Sequence, residues 1–143
     1  MFCGFGVIWQ MPVCGGELME LYSGYVYIPV SDFDKATRWY HDVLGFALVV
    51  TDPLYRELRS RLGARIMLIE RRGGINAHMQ YDTGPQAAFG FSVDNIESIH
   101  AELASKGVEV KKIVEYQGKS FSFSDLDGNI IELWEERNSS NSN

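Results

Sequence analysis

The stretch FSDLDGNIIELWEE, residues 123–136, predicts two strands joined by a tight turn. Asp127 and Gly128 form a dipeptide that is typical of a hairpin turn. In the second strand the carboxylate of Glu132 stands among apolar neighbours, in the sequence Ile-Ile-Glu-Leu-Trp. Burying a carboxylate among apolar side chains is costly unless another group pairs with it. Glu132 therefore holds a metal ion, a ligand group or a neighbouring side chain.

The residues before this stretch predict the rest of one structural unit. A helix begins near Asp94, the expected N-cap, and ends at Gly107, because Ile96, Ile99 and Leu103 recur at helical spacing. Strands are predicted on either side of it, over residues 87–93, 108–116, 119–125 and 129–136.

The same order of elements is predicted earlier in the chain. Ser31 is the expected N-cap of a helix that ends at Gly45, with Asp34 completing an acidic capping box. The neighbouring strands are 24–30, 46–52 and 64–71; 55–63 reads as either an edge strand or a helical turn, and 71–86 as a long loop with Gly and Pro breakers.

The predicted order of elements, β-α-β-β-β, thus occurs twice along the chain. It predicts an α+β domain of two modules (21–75 and 86–137). Each module is expected to be a curved sheet with one helix on its outer face. Two such sheets facing each other would enclose a cavity lined by every second strand residue. Residues 1–20 read as an N-terminal extension and 138–143 as a disordered tail.

Composition limits the partners. The net charge of −6 argues against nucleic acid or an anionic membrane. Cys3 and Cys14 lie before the first predicted strand and cannot form a disulfide framework, so a reducing, cytoplasmic setting is the simpler expectation. The first 16 residues are apolar but short and lack a basic n-region, so they resemble neither a secretory signal nor a membrane span.

Two stretches, YIPVSDFDKATRWYHDVLGF (27–46) and FSDLDGNIIELWEE, resemble the signatures of the vicinal oxygen chelate superfamily. This group includes glyoxalase I, bleomycin resistance proteins, fosfomycin resistance proteins and extradiol dioxygenases. The resemblance covers residues 25–136 and implies the fold described above. It also implies a homodimer, because members usually complete each cavity with sheets from two chains.

The resemblance implies four metal-ligand positions, which in the glyoxalase pattern are His or Gln, Glu, His and Glu. They fall here on Tyr25, Met67, Ala88 and Glu132, and only Glu132 is retained. A transition-metal ion needs three or more N, O or S donors around it. No metal cofactor is therefore expected, with a divalent ion on Glu132 as the alternative.

Three roles of Glu132 stay open: a structural acid bonded to Tyr25 or to the backbone, an anchor for a cationic or hydrogen-bonding ligand group, and a metal ligand. In the third case the other donors would be Glu70, His78, Asp82 or His41. Glu70 should point away from the face of Met67. His78 is expected in solvent, and His41 and His100 on helix surfaces.

The leading hypothesis is a metal-free protein of the bleomycin-resistance type that sequesters an aromatic or cationic compound. Aromatic side chains opposite very small ones suit a planar ligand, although they equally suit a packed core. Whether Ser120, Ser122 and Ser124 or the alternating Phe121 and Phe123 face the cavity stays open. The alternative is an enzyme of the glyoxalase type, a lyase, isomerase or transferase. The expected ligand-binding residues are Tyr25, Tyr27, Met67, Ala88, Gly90, Glu132 and Trp134.

Overall fold

The computed structural model describes residues 18–137, together with the backbone of residues 4–5 and 12–13. Its elements are, in chain order, β1 (Gly4–Phe5), β2 (Pro12–Val13), β3 (Val26–Val30), α1 (Phe33–Leu44), β4 (Ala47–Thr51), β5 (Tyr55–Arg59), β6 (Arg65–Glu70), β7 (His78–Tyr81), β8 (Gly84–Ala87), β9 (Gly90–Ser92), α2 (Ile96–Ser105), β10 (Val114–Glu115), β11 (Gly118–Ser124) and β12 (Ile130–Glu136). Most of the extension, including Cys3 and Cys14, and the tail 138–143 lie outside the described residues.

Two four-stranded sheets confirm the predicted repeat. The N-sheet has the strand order β3-β6-β5-β4, and the C-sheet has the order β9-β12-β11-β10. In each sheet the first and last strands of the module pair in parallel, and the other pairs are antiparallel. The fold is therefore α+β, built from two βαβββ modules.

Both helix starts differ from their predictions. Asp32, not Ser31, is the N-cap of α1, and its side chain accepts a hydrogen bond from Lys35 N at 2.9 Å. Ser31 does not cap α1 because its hydroxyl donates a hydrogen bond to Asp127 of the other module. Gly45 ends α1 at φ +75°, the left-handed conformation that glycine adopts without strain.

The start of α2 is stabilised from outside the helix. Asn95 and not Asp94 stands at the N-cap position, and its side chain makes no capping bond. Instead, the carboxylate of Glu135 on β12 accepts a hydrogen bond from Ile96 N at 3.2 Å. Local sequence could not reveal this cap, because its acceptor comes from a distant strand.

Several loops and strands also differ from the sequence expectations. The long loop 71–86 contains the hairpin β7–β8, and residues 55–63 contribute the strand β5. The predicted strand 108–116 is reduced to β10 and one bridge between Val110 and Phe123. The predicted strand 87–93 is reduced to β9, because Ala87 already belongs to β8.

Three side chains outside the predicted site can also be placed. Glu70 is exposed and pairs with Arg72 at 3.0 Å. His41 is exposed as expected. His100 is instead half-buried, with its ring against Phe121 at 4.7 Å between centroids.

A single hydrophobic core joins the helix-bearing sides of both sheets. Trp39 of α1 reaches Phe123 of the C-sheet at 6.5 Å between ring centroids, and Phe46 reaches Phe91 at 5.5 Å. Core residues from both modules are nearly inaccessible to solvent, among them Ile28, Leu58, Leu68, Ile96, Phe121 and Ile131. Within one chain the helices therefore lie on the side where the modules meet, and not on an outer face.

A buried polar cluster, termed here the inter-module network, fixes the two modules together. Asp125 is its centre and accepts hydrogen bonds from Tyr40 OH at 2.6 Å and from Asn129 Nδ2 at 2.8 Å. Asn129 also donates to Pro29 O at 2.9 Å, and Asp127 accepts from Ser31 Oγ at 2.6 Å. The polar residues of FSDLDGN thus serve the contact between modules.

Candidate functional site

The side of each sheet that carries no helix lies at the surface of the single chain. On the N-sheet this side is termed the N-face, and it carries Tyr25, Tyr27, Tyr55, Glu57, Arg59, Arg65 and Met67. On the C-sheet it is termed the C-face, and it carries Gly90, Ser120, Ser122, Glu132 and Trp134, with Ala88 in the bend that precedes β9.

Strand register sets the geometry of the N-face. Tyr27 pairs with Met67 across β3 and β6, and Met67 pairs with Glu57 across β6 and β5. Arg65 and Arg59 are paired on the next row of the same face. Alternation along a strand therefore places three charged side chains beside the tyrosines.

An arginine pair surrounds Glu57 on the N-face. Arg65 Nη2 donates to one carboxylate oxygen at 2.8 Å, and Arg59 Nε donates to the other at 2.9 Å. These bonds hold the pKa of Glu57 below its ordinary value, although desolvation opposes them. The hydrogen bond from Arg65 has the largest effect. The three groups together carry one net positive charge.

This charged cluster was not among the residues predicted from the sequence to bind a ligand. Its signal was present in YRELR, where Tyr55, Glu57 and Arg59 alternate with Arg56 and Leu58. A predicted strand over these residues would have placed Tyr55, Glu57 and Arg59 on one face. The ambiguity between strand and helical turn concealed that pattern.

Two tyrosines adjoin the cluster. Tyr25 and Tyr27 are each about half exposed, at 54% and 53%, and their rings meet edge to face at 5.5 Å. The guanidinium carbon of Arg65 lies 5.5 Å from the centroid of the Tyr25 ring, within cation–π range. The neighbouring Tyr25 hydroxyl, through a hydrogen bond and then through its charge, raises the pKa of Tyr27 above its ordinary value.

The C-face has a different chemistry. Glu132 pairs with Gly90 on one side and with Ser122 on the other, so small residues flank its carboxylate. A Cβ at Gly90 would lie 2.3 Å from the main-chain oxygen of Glu132, so only glycine fits there. The Trp134 indole lies against Gly118 in the same way, since a Cβ at Gly118 would lie 2.6 Å from Trp134 Nε1.

Glu132 itself is exposed, and its carboxylate makes no hydrogen bond or ion pair with any described residue. The structural role, in which Tyr25 or a backbone N–H satisfies this acid, has no contact to support it. The chain therefore does not bury Glu132, and the neighbouring side chains leave its carboxylate available to a partner.

The seven predicted ligand-binding residues fall into two separate groups. Tyr25, Tyr27 and Met67 belong to the N-face, Gly90, Glu132 and Trp134 belong to the C-face, and Ala88 lies in the bend before β9. Ser120 and Ser122 share the C-face, whereas Phe121 and Phe123 are buried in the core. The chain alone does not bring the two groups together.

The residues at the four family ligand positions do not fit a divalent metal. The parallel strands pair Tyr27 with Met67 and Gly90 with Glu132, and Tyr25 and Ala88 precede these strands. The carboxylate of Glu132 is the one strong donor for a metal in this set. Within residues 18–137, no group of three or more His, Cys, Asp or Glu side chains is placed to hold a metal ion.

A cleft of about 500 Å³ also opens on the helix side, between the modules. Val43, Phe46, Phe91 and Leu103 contribute to its apolar wall. Lys106 at its edge is already used, because it donates to the main-chain oxygen atoms of Asp42 and Val43 near the end of α1. This cleft contains none of the residues predicted to bind a ligand.

Neither α1 nor α2, the helices of the described part of the chain, is long and apolar enough to cross a membrane.

Two βαβββ modules, each with an open sheet face, define the architecture of a paired-module α+β protein. The chain belongs to the Glyoxalase/Bleomycin resistance protein/Dioxygenase superfamily, the vicinal oxygen chelate group, whose sequence model matches residues 23–133. No curated protein matches the chain.

Solved structures share this fold. TnmS3, an antibiotic binding protein from Streptomyces sp. CB03234, has a TM-score of 0.66 at 22% identity, covering 85% of this chain and 100% of its own. A glyoxylase/bleomycin resistance protein/dioxygenase domain from Frankia sp. EAN1pec has a TM-score of 0.66 at 24% identity, covering 85% and 96%. Integron cassette protein HFX_CASS4 from the mobile metagenome of a Halifax Harbour sewage outfall has a TM-score of 0.63 at 25% identity, covering 78% and 95%.

Proposed function

We propose that this protein binds and sequesters a small aromatic compound, without a metal ion, between the N-face of one copy and the C-face of a second copy. The observation that carries the proposal is the exposure of the Tyr25–Tyr27 pair on a sheet face. Large exposed aromatic side chains on a regular sheet face are typical of a binding surface and not of a core.

A second copy is the proposed cover because the two faces complement each other. The N-face carries the large Tyr25 and Tyr27 rings, whereas the C-face carries small residues beside Glu132 and the Trp134 indole. A twofold arrangement would bring each N-face opposite the C-face of the other copy, giving two equivalent contacts, which is how an isologous interface is built. Rings and small residues on opposite walls leave a flat space between them.

The absence of suitable donors at the family ligand positions supports a binding role over metal-dependent catalysis. Tyr27, Met67 and Gly90 supply no set of ligands with which Glu132 could hold a transition metal. TnmS3, which shares this fold, is an antibiotic binding protein. We extend that kind of activity to this chain, together with the expected cytoplasmic location, as part of the proposal.

Thermal unfolding in the presence of neutral, cationic and anionic aromatic compounds tests the proposal. At least one compound should raise the Tm, because a ligand that binds only the folded protein stabilises it. Tyr27→Ser should reduce that rise, and Tyr116→Ser, which alters an exposed tyrosine on a turn, should leave it unchanged. No stabilisation by any compound would contradict the proposal.

Two further measurements separate its components. Sedimentation should show two chains per particle, and a monomer at all concentrations would remove the second copy from the proposal. Elemental analysis of the purified protein should show no stoichiometric metal. A near-stoichiometric divalent ion that is lost in Glu132→Ala would favour the glyoxalase-type enzyme instead.

A further inference from the structure

We infer that the compound bound at this site carries an anionic oxygen group, such as a carboxylate, next to its ring, and that Arg65 and Arg59 bind this group. The inference rests on the proposed function and specifies its ligand. It differs from the cationic ligand that Glu132 alone suggests, because the structure reveals a charged cluster on the opposite face.

The hydrogen bonds of the cluster leave guanidinium donors free. Glu57 accepts one bond from each arginine, from Arg65 Nη2 and from Arg59 Nε. Among the described residues, the remaining N–H groups of both guanidiniums have no acceptor, and Arg65 Nε is buried without one. An arginine has five N–H donors in a planar fork, so both side chains can bind another anion.

The charge of the cluster favours that anion. Glu57 neutralises only one of the two guanidiniums, and it is 6% exposed, so it is held in place between them. Arg65 is 26% exposed at its side chain and Arg59 is 51% exposed. Both can therefore be reached from the N-face, and a partly desolvated charge interacts more strongly than one in bulk water.

The adjoining rings place the aromatic part of the ligand. Tyr25 lies over the Arg65 guanidinium, and Tyr27 meets Tyr25 edge to face. A flat ring that packs on this tyrosine pair would carry a substituent at its edge towards Arg65. The N-face thus combines an aromatic platform with an anion-binding group, which is the arrangement that recognises an aromatic acid.

Three probes with the same ring test the inference: naphthalene-2-carboxylate, naphthalene-2-carboxamide and 2-(aminomethyl)naphthalene. Titration calorimetry at low salt should give a Kd for the carboxylate about tenfold or more below that for the carboxamide, since hydrogen bonds to charged groups are the stronger ones. Added salt should weaken binding of the carboxylate and leave binding of the carboxamide unchanged.

Variants assign the effect to the arginines. Arg65→Gln should remove the preference for the carboxylate and retain binding of the carboxamide. Arg72→Gln, which alters an exposed arginine on a loop, should keep the preference. Arg65→Lys retains the charge without the planar fork and should give an intermediate preference. Should Arg65→Gln fail to fold, the salt dependence in the unaltered protein remains decisive.

The outcomes separate this inference from the proposed function. If the carboxamide or the amine binds as tightly as the carboxylate, the anionic ligand is wrong and the aromatic binding site stands. If the carboxylate is preferred and Arg65→Gln keeps that preference, the assignment to Arg65 is wrong. If none of the three binds and no other aromatic compound stabilises the protein, the proposed function itself is wrong.

Discussion

Asp125 and Glu132 belong to the same signature stretch, yet they occupy opposite environments. Asp125 is 8% exposed and accepts four hydrogen bonds, two from backbone N–H groups and two from Tyr40 and Asn129. Glu132 is exposed on the C-face and accepts none from the described residues. The inter-module network therefore uses its acid for structure, whereas the open face leaves its acid free for another partner.

The largest expected effect comes from removing the acid of the network. Asp125→Ala should lower the free energy of unfolding by about 3–5 kcal/mol, because it leaves several buried donors without an acceptor. Glu132→Ala is the matched control and should change it by less than about 0.5 kcal/mol. Chemical unfolding at a fixed protein concentration measures both, and equal effects would contradict the comparison.

A glycine on the open face is expected to matter for stability as well. Gly90→Ala should cost about 1–3 kcal/mol, since the new Cβ would lie 2.3 Å from the Glu132 main-chain oxygen and the parallel strands must move apart. Gly24→Ala, where no atom lies within 4 Å of the added carbon, serves as control. An unchanged unfolding midpoint for Gly90→Ala would show that β9 does not approach β12 so closely.

Tyr40→Phe tests one bond of the network and should cost about 1 kcal/mol. Burial, and then the charge of Asp125, raises the pKa of Tyr40 well above its ordinary value of 10.0. The unfolded chain therefore loses the Tyr40 proton first, and stability from this group is complete below about pH 10 and falls above it. Unfolding measured between about pH 9 and 11 should show a shallower loss in Tyr40→Phe than in the unaltered protein. Tyr116→Phe should leave the loss unchanged.

The N-face cluster is expected to contribute about as much to stability as the Tyr40 hydrogen bond. Glu57 has a lowered pKa, so its contribution is complete above the ordinary carboxyl pKa of 4.5 and is lost as the pH falls through the lower folded value. Glu57→Gln should cost about 1 kcal/mol at neutral pH and reduce the loss of stability on acidification. Glu70→Gln alters an exposed ion pair with Arg72 and should have almost no effect. A steeper acid loss in Glu57→Gln would contradict the sign of the shift.

Local patterns predicted much of the fold. Hydrophobic spacing located both helices, Gly45 marked the end of α1, and the Asp127–Gly128 turn joined the last two strands. What local patterns could not reveal are contacts between distant residues. Ser31 donates to Asp127 instead of capping α1, and Glu135 stabilises the start of α2.

The candidate site was predictable only by strand face. Alternation put Tyr25 with Tyr27 and Glu132 with Trp134; the contact of the two tyrosine rings agrees with the first pair and the strand register with the second. The side of the sheets on which the modules meet depends on long-range packing, such as Trp39 against Phe123. The role of Glu57 required the register of Arg59 with Arg65, which no local spacing encodes.

The packing of Trp39, Phe46 and the helix-bearing sides into one core has a consequence for how a ligand would be released. Because the two open faces of a single chain point away from the shared core, the proposed compartment would close only between two chains. Ligand occupancy and chain association would then be thermodynamically linked, each strengthening the other by the same factor. Dilution of the protein would by itself release the ligand, because the pair of chains would dissociate. As the protein concentration rises, the amount of bound ligand would increase more steeply than in proportion to that concentration.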